Sequence, residues 1–492
     1  MFKVVRTLLL GGLLGKVLGV LRELIFAWLF GTGAVASAYR LAQSAFLIPL
    51  HGFVSEAING GFTPQYAKHR NVDPARSAAL FSGLYTVMLL VSAAVAIALF
   101  VWAEQWVSLL APGFDRERSQ VATAMLQLLS LALPAYVVSG LFASVDLAIG
   151  RGSLSAARAS LQSLGLILGT LAAHWLGMPT LIAAGFVIAY VAFAVIGGRV
   201  VRQEGLSLRL VSLMSPEIRS ALMSLFRVIR VLIWIPVAFQ FNAVVERRVA
   251  SLISSDAMAA IDYSRFVTET LVILVAMPVG LAGLSTMASM SASDFRRAKL
   301  KAFRALLYVG LPLSALLSVN AQTVVSLVFE RGAFGASSAA VTAQILSGMA
   351  VGIWGQLIGY AGAKFLSARG RNSGALVASL VGVACSVATL LLAQPYFGVA
   401  VLGVAAAVHG IVFGGFVLWR LEVVAELGAE LSSLACLALV YVAVSWLSPW
   451  PWGGSLWLTV LFSSVFWCAA MFGLPWHRRP LIRAYRMART GR

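Results

Sequence analysis

The chain has 492 residues, of which 60% are apolar and 11% charged, and it carries a formal net charge of +19. So large an apolar share exceeds what a soluble core buries, which makes the solvent lipid, and continuous apolar runs without period-2 alternation exclude a β-barrel. The basic residues lie in short loops between apolar runs and not on one soluble face, which excludes nucleic acid as a partner and follows the positive-inside pattern.

A helix crossing a hydrocarbon layer about 30 Å thick needs roughly 20 residues, so the apolar runs predict about fourteen spans. They lie near 5–30, 36–63, 77–103, 119–149, 154–176, 179–199, 221–246, 258–290, 302–321, 338–367, 373–394, 398–420, 429–447 and 455–475. The first run starts with Lys3 and Arg6 but continues to Phe30, through Arg22 and Glu23, with no small-residue cleavage site; it is a membrane helix and not a signal peptide. With the N-terminus inside, the cytoplasmic loops collect most cations, among them Lys68, Arg70, Arg151, Arg158, Arg202, Arg296 and the tail from Arg478. The opposite loops hold only Arg116, Arg118, Arg247, Arg248 and Arg331. Both termini are therefore expected in the cytoplasm of a bacterial inner-membrane protein.

A shift of about 220 residues brings the chain onto itself. RGSLSAAR from Arg151 meets RGRNSGAL from Arg369, APGFDRERS from Ala111 meets ERGAFGASS from Glu330, and Tyr39-Arg40 falls near Tyr263-Ser264-Arg265. An even number of helices per repeat gives two halves of the same orientation, related by an axis along the membrane normal. The expected fold is an all-α polytopic membrane protein: a six-helix lobe over 1–210, a second over 211–425, and two further helices with a basic tail over 426–492. Such halves commonly rock about a central site, which favours a transporter over an anchor.

Charges inside membrane helices mark function or helix-to-helix bridges, because burying one in hydrocarbon costs about 2.5–3.5 kcal/mol on insertion scales. The first helix carries Lys16, Arg22 and Glu23, the second Arg40, His51 and Glu56, and the eighth Asp262, Arg265 and Glu269. Lys16 and Arg22 stand about 240° apart around a helix, whereas Asp262, Arg265 and Glu269 follow i, i+3, i+7 spacing and share one face. Cations among apolar helices suit an anion with a lipid tail, arginine through a planar fork and lysine as a point charge. The competing explanation, ion bridges that hold the bundle together, stays open for each residue.

Other motifs carry less. Cys385, Cys436 and Cys468 lie in apolar runs without ligand spacing; His174 and His409 read as packing residues; no metal motif or Walker sequence occurs. Trp446, Trp450, Trp452, Trp457, Trp467 and Trp476 read as an interfacial belt. No cofactor or metal is expected, and transport is left to the membrane potential or an ion gradient.

The stretch GKVLGVLRE from Gly15 to Glu23, followed by FGTG from Phe30 and by Glu56 with Phe62-Thr63-Pro64, resembles the start of the MurJ/MviN family of lipid II flippases. Further matches follow in family order: LAPGFD from Leu110, DYSR from Asp262, MPVGL from Met277, FERGAF from Phe329 and AKFL from Ala363. The resemblance implies two lobes around a cationic cavity, two extra helices forming a groove for the lipid tail, and alternating access. It implies a polyprenyl-diphosphate-linked saccharide as cargo, membrane lipids around it, and a glycan polymerase or glycosyltransferases as partners in the pathway. Arg22 and Arg265 match the family's cavity arginines and Glu56 its acidic residue in helix 2, while Lys16 stands where arginine is usual. Ser37 replaces a family aspartate and His51 a family arginine; His51 adds a group that titrates near neutral pH.

These departures leave the cargo open between lipid II and an exopolysaccharide unit on the same carrier. A drug or cation antiporter of the same superfamily would more naturally carry an acidic cavity, and a scaffold for glycan enzymes would not need the intramembrane charges. A membrane glycosyltransferase would need a large soluble loop with clustered acids and histidines, and none is visible.

Overall fold

In the computed structural model, described over residues 2–49, 56–70, 72–229, 234–287 and 290–447 with short pieces between 462 and 470, every regular element is helical. Packing divides the chain into two compact units, Met1–Ala260 with Phe329–Ser338, and Ile261–Val328 with Ala339–Arg492.

The first unit holds α1 (Phe2–Phe30), α2 (Ala34–Leu47), α3 (Glu56–Arg70), α4 (Pro74–Val101), α5 (Ala103–Leu110), α6 (Arg116–Leu131), α7 (Leu133–Ala148), α8 (Ser153–Leu176), α9 (Leu181–Gln203), α10 (Pro216–Ile229) and α11 (Trp234–Ile253). The run predicted at 36–63 is divided: α2 ends at Leu47, and α3 continues past Pro64 to Arg70. The run predicted at 119–149 is a bent pair, α6 and α7 meeting at 46°. Pro134 sits in the first turn of α7, where its missing N–H leaves no broken helical bond. Asp115 caps α6 by accepting the Arg118 backbone N–H at 2.8 Å, and this bond holds its carboxyl below the usual range. Asp146, fully buried, stops α7 and starts α8 by accepting the Leu154 N–H at 2.7 Å.

The second unit begins within α12 (Ala257–Thr286) and continues through α13 (Ala292–Val319), α14 (Ala321–Phe329), α15 (Ala336–Val351), α16 (Ile353–Ala368), α17 (Asn372–Phe397), α18 (Ala400–Arg420) and α19 (Val424–Leu447). It repeats the architecture of the first: α4 to α9 recur as α13 to α18 at a shift of about 220 residues, including a bent pair, α15 and α16, that meet at 52°. Eight described helices are long and apolar enough to cross a membrane, ten if each bent pair is one span. Beyond the repeat, the Nε–H of Arg304 on α13 is shared between the two carboxylate oxygens of Glu430 on α19, at 2.9 and 3.0 Å. Trp467 does not join an interfacial belt: it is 6% exposed, packed on Tyr441, whose hydroxyl meets that of Ser463 at 2.6 Å. Cys385 is half-buried and Cys436 exposed on their helices, and Cys468 lies outside the described residues.

Without a hydrophobic drive between helices in lipid, close backbone approach supplies the packing. A Cβ on Gly185 of α9 would stand 2.2 Å from the Gly165 carbonyl oxygen of α8, and one on Gly355 of α16 would stand 2.3 Å from that of Gly410 on α18. Gly185→Leu should therefore force α8 from α9, lowering stability by about 1–3 kcal/mol, read as a drop in Tm of the detergent-solubilised protein. Gly415→Ala, where no atom lies within 4 Å, should leave Tm unchanged.

Candidate functional site

The intramembrane charges of the first unit converge on one carboxylate. α1 ends at Gly31, whose positive φ of 54° turns the chain, and α2 starts two residues later with Gly33 as N-cap. That reversal lays Arg40 of α2 beside Glu23 of α1. Glu23 Oε1 accepts from Arg22 Nη2 at 2.7 Å and Nε at 3.2 Å, and its Oε2 accepts from Arg40. The Arg40 guanidinium also lies over the Phe26 ring, 5.0 Å from its centre.

Two cations sharing one carboxylate leave a net positive charge, and burial decides which carries it outward. The Arg40 side chain is 8% exposed and Glu23 5%, whereas Arg22 keeps 24%. Arg40 is thus a buried member that holds Glu23, and Arg22 is the cation whose remaining N–H groups face outward. Lys16 is exposed, two turns earlier on α1. Ser37 is fully buried and donates to the Thr32 carbonyl at 3.1 Å, so it bolts the turn.

In the second unit, α12 sorts its residues by face. Tyr263, Ser264 and Thr268 are buried, with Ser264 Oγ donating to the Thr342 carbonyl of α15 at 2.9 Å. Asp262 and Arg265 are half-buried and Glu269 exposed, so the i, i+3, i+7 set lies apart from the buried Tyr263, Ser264 and Thr268. Glu56 starts α3, but its side chain lies outside the described residues, as does the whole of His51. Among the described residues no cluster of His, Cys, Asp and Glu has metal-binding geometry.

Three groups escaped the sequence. Arg158, expected in a cytoplasmic loop, stands inside α8 over the rings of Tyr136 and Tyr190. Glu204 ties Arg70 and Arg151 together at 2.8 and 2.6 Å, locking the ends of α3, α8 and α9. Arg247, placed in an outer loop, is 5% exposed within α11 and donates to the Met258 carbonyl at 3.1 Å. Each depends on partners that no local spacing in the sequence signals.

The profile of the family described as Lipid II flippase MurJ matches residues 26–470. The chain belongs to the MurJ family. A Synechocystis relative named as a probable lipid II flippase MurJ is 28% identical over 371 residues, which cover 70% of this chain and 66% of that protein, just under two thirds of its length. A relative of the same name from Rhizobium meliloti is 24% identical over 490 residues, covering 89% of this chain and 86% of its own. A solved structure of lipid II flippase MurJ in an inward closed conformation superposes with TM-score 0.81 at 16% identity, over 96% of this chain and 99% of that one. An inward-facing multidrug resistance MATE transporter follows with TM-score 0.66 at 14% identity, over 85% and 95%. The MurJ fold is thus established for this multi-pass membrane protein, and the family's description is that of a transporter and not an enzyme.

Removing Glu23 from this MurJ-family chain should leave two guanidiniums facing each other in a buried site. Glu23→Leu is expected to cost about 3–5 kcal/mol, measured by unfolding in detergent, and the double variant Glu23→Leu/Arg40→Met to recover part of it.

Proposed function

We propose that the chain is a flippase for a polyprenyl-diphosphate-linked saccharide, lipid II first among them, moving it from the cytoplasmic to the periplasmic leaflet of the bacterial inner membrane by alternating access. The observation that carries this is the Glu23 network: it spends one arginine on structure and presents the other, Arg22, outward from a helix of 29 residues. With Nε and one N–H of Nη2 committed to Glu23, the remaining Nη1 and Nη2 donors of Arg22 are suited to a phosphate, which accepts two parallel bonds from them. Arg265, half-buried on α12 of the second unit, is a further guanidinium of the same chemistry. Family membership supports the cargo, since relatives bear the name probable lipid II flippase. The excess of cations in the inward loops supports cytoplasmic termini, and the membrane potential or an ion gradient supplies the drive.

A second cargo, an exopolysaccharide unit on the same diphosphate carrier, is favoured by one feature. Ser37 adds no negative charge where the family pattern has an acid, and its hydroxyl is committed to the Thr32 carbonyl. Both cargoes need the diphosphate contact. Each hydrogen bond to a charged group is worth about 1.5–3 kcal/mol, so Arg22→Ala should weaken cargo binding about ten- to a hundredfold. Cells depleted of their own lipid II flippase should be rescued by the wild-type chain and not by Arg22→Ala or Arg265→Ala at equal membrane levels. Full rescue by both variants would rule out the reading, and rescue only of an exopolysaccharide flippase mutant would select the second cargo.

A further inference from the structure

The first unit contains another guanidinium in a setting that packing alone does not explain. Arg158 lies half-buried in α8, its Cζ 5.0 Å from the centre of the Tyr136 ring on α7 and 5.7 Å from that of Tyr190 on α9. The two rings meet edge-on at 4.8 Å, and the Tyr190 hydroxyl donates to Gln162 Oε1 at 2.8 Å, one turn after Arg158. The rings and hydroxyls of Tyr136 and Tyr190 orient this guanidinium but supply no counter-charge. Arg22, Arg40, Arg70, Arg151 and Arg304 all have a carboxylate. Among the described residues no acidic side chain bridges to Arg158. An arginine within a membrane helix is costly unless an anion meets it.

Its level in the unit is also informative. Gly11 of α1 abuts Ala156 of α8, and Gly15 abuts Ala159 and Ser160, so the two helices run parallel and in step. Arg22 then lies beside residues near 167, about 13 Å further along the axis than Arg158 at 1.5 Å per residue. Tyr190 of the neighbouring α9 stands at the level of Arg158, 5.7 Å from its guanidinium. The two cations therefore form a ladder along the unit, with Arg158 on the rung nearer the N-terminal end of α1.

We infer that Arg158, oriented by Tyr136 and Tyr190, is a second phosphoryl-binding residue for the lipid-linked cargo, one that takes the diphosphate on the cytoplasmic side of Arg22. This rests on the flippase reading for the identity of the cargo. The same phosphoryl chemistry occurs in anionic phospholipid headgroups, so the experiment separates the two sources.

The full-length protein in detergent is titrated with undecaprenyl diphosphate and, separately, with phosphatidylglycerol, and retained lipid is counted by native mass spectrometry. Arg158→Gln should reduce retention of undecaprenyl diphosphate at least about tenfold, the size of one lost charge-assisted contact, and leave phosphatidylglycerol unchanged. Arg158→Lys, which keeps the charge and the ring contacts but loses the fork, should fall between and guards against a folding defect in the glutamine variant. Undiminished retention of undecaprenyl diphosphate by Arg158→Gln overturns the assignment while the flippase reading stands. Equal loss of both lipids also overturns it, because the site would then hold headgroups. Failure of the wild-type protein to retain undecaprenyl diphosphate at all overturns the assignment and the flippase reading together.

Discussion

Glu23 stands with 5% of its side chain exposed between two guanidiniums, in a helix whose outer face is lined by Leu13, Leu14, Val17 and Trp28, all at least half exposed. In such a setting a carboxylate without partners would take up a proton and an arginine without one would be expelled, so each group is tolerable only in the presence of the others. The carboxylate neutralises one positive charge and leaves one over. Because Arg40 is the more deeply buried, the surplus is displayed by Arg22. Much else in the first unit serves to hold this arrangement: the glycine turn at Gly31 that returns α2 to α1, the Ser37 hydroxyl that fastens the turn, and the Phe26 ring under Arg40.

The two units use the same means to place their helices. Small residues let backbones touch, as at Gly165 with Gly185 and at Gly355 with Gly410. A break after a sixteen-residue segment bends one span in each unit, at Ala132 and at Gly352. A bent span exposes backbone carbonyls where a straight one would hide them, which is tolerable in lipid only if protein covers the break. Ala132 is fully buried, in keeping with that requirement. The recurrence of the bend at matching places in the two units is stronger support for an internal duplication than the short sequence matches that first suggested it.

Much of the fold was legible in the chain itself. Apolar run length located most helices, because the bilayer imposes a length and forbids unsatisfied backbone. It failed where a run was long enough for one span but contained a break, as at 36–63 and 119–149, since hydropathy registers composition and not direction. The site was legible in part. Spacing alone predicted the shared face of Asp262, Arg265 and Glu269, because a helix places residues at fixed angles. That Arg22 and Arg40 would meet on one carboxylate was not predictable, nor that Arg158 would lie against two tyrosines.

The sequence by itself determined that this is an all-helical membrane protein with a duplicated plan and a cationic bias, since composition, periodicity and the shift of about 220 residues are properties of the chain in one dimension. Only the tertiary structure decided which cation is displayed and which is locked. That choice turns on the geometry by which α2 folds back on α1 and α8 packs between α1 and α9, and charge in a low-dielectric layer takes its meaning from neighbours that the chain brings together only by folding.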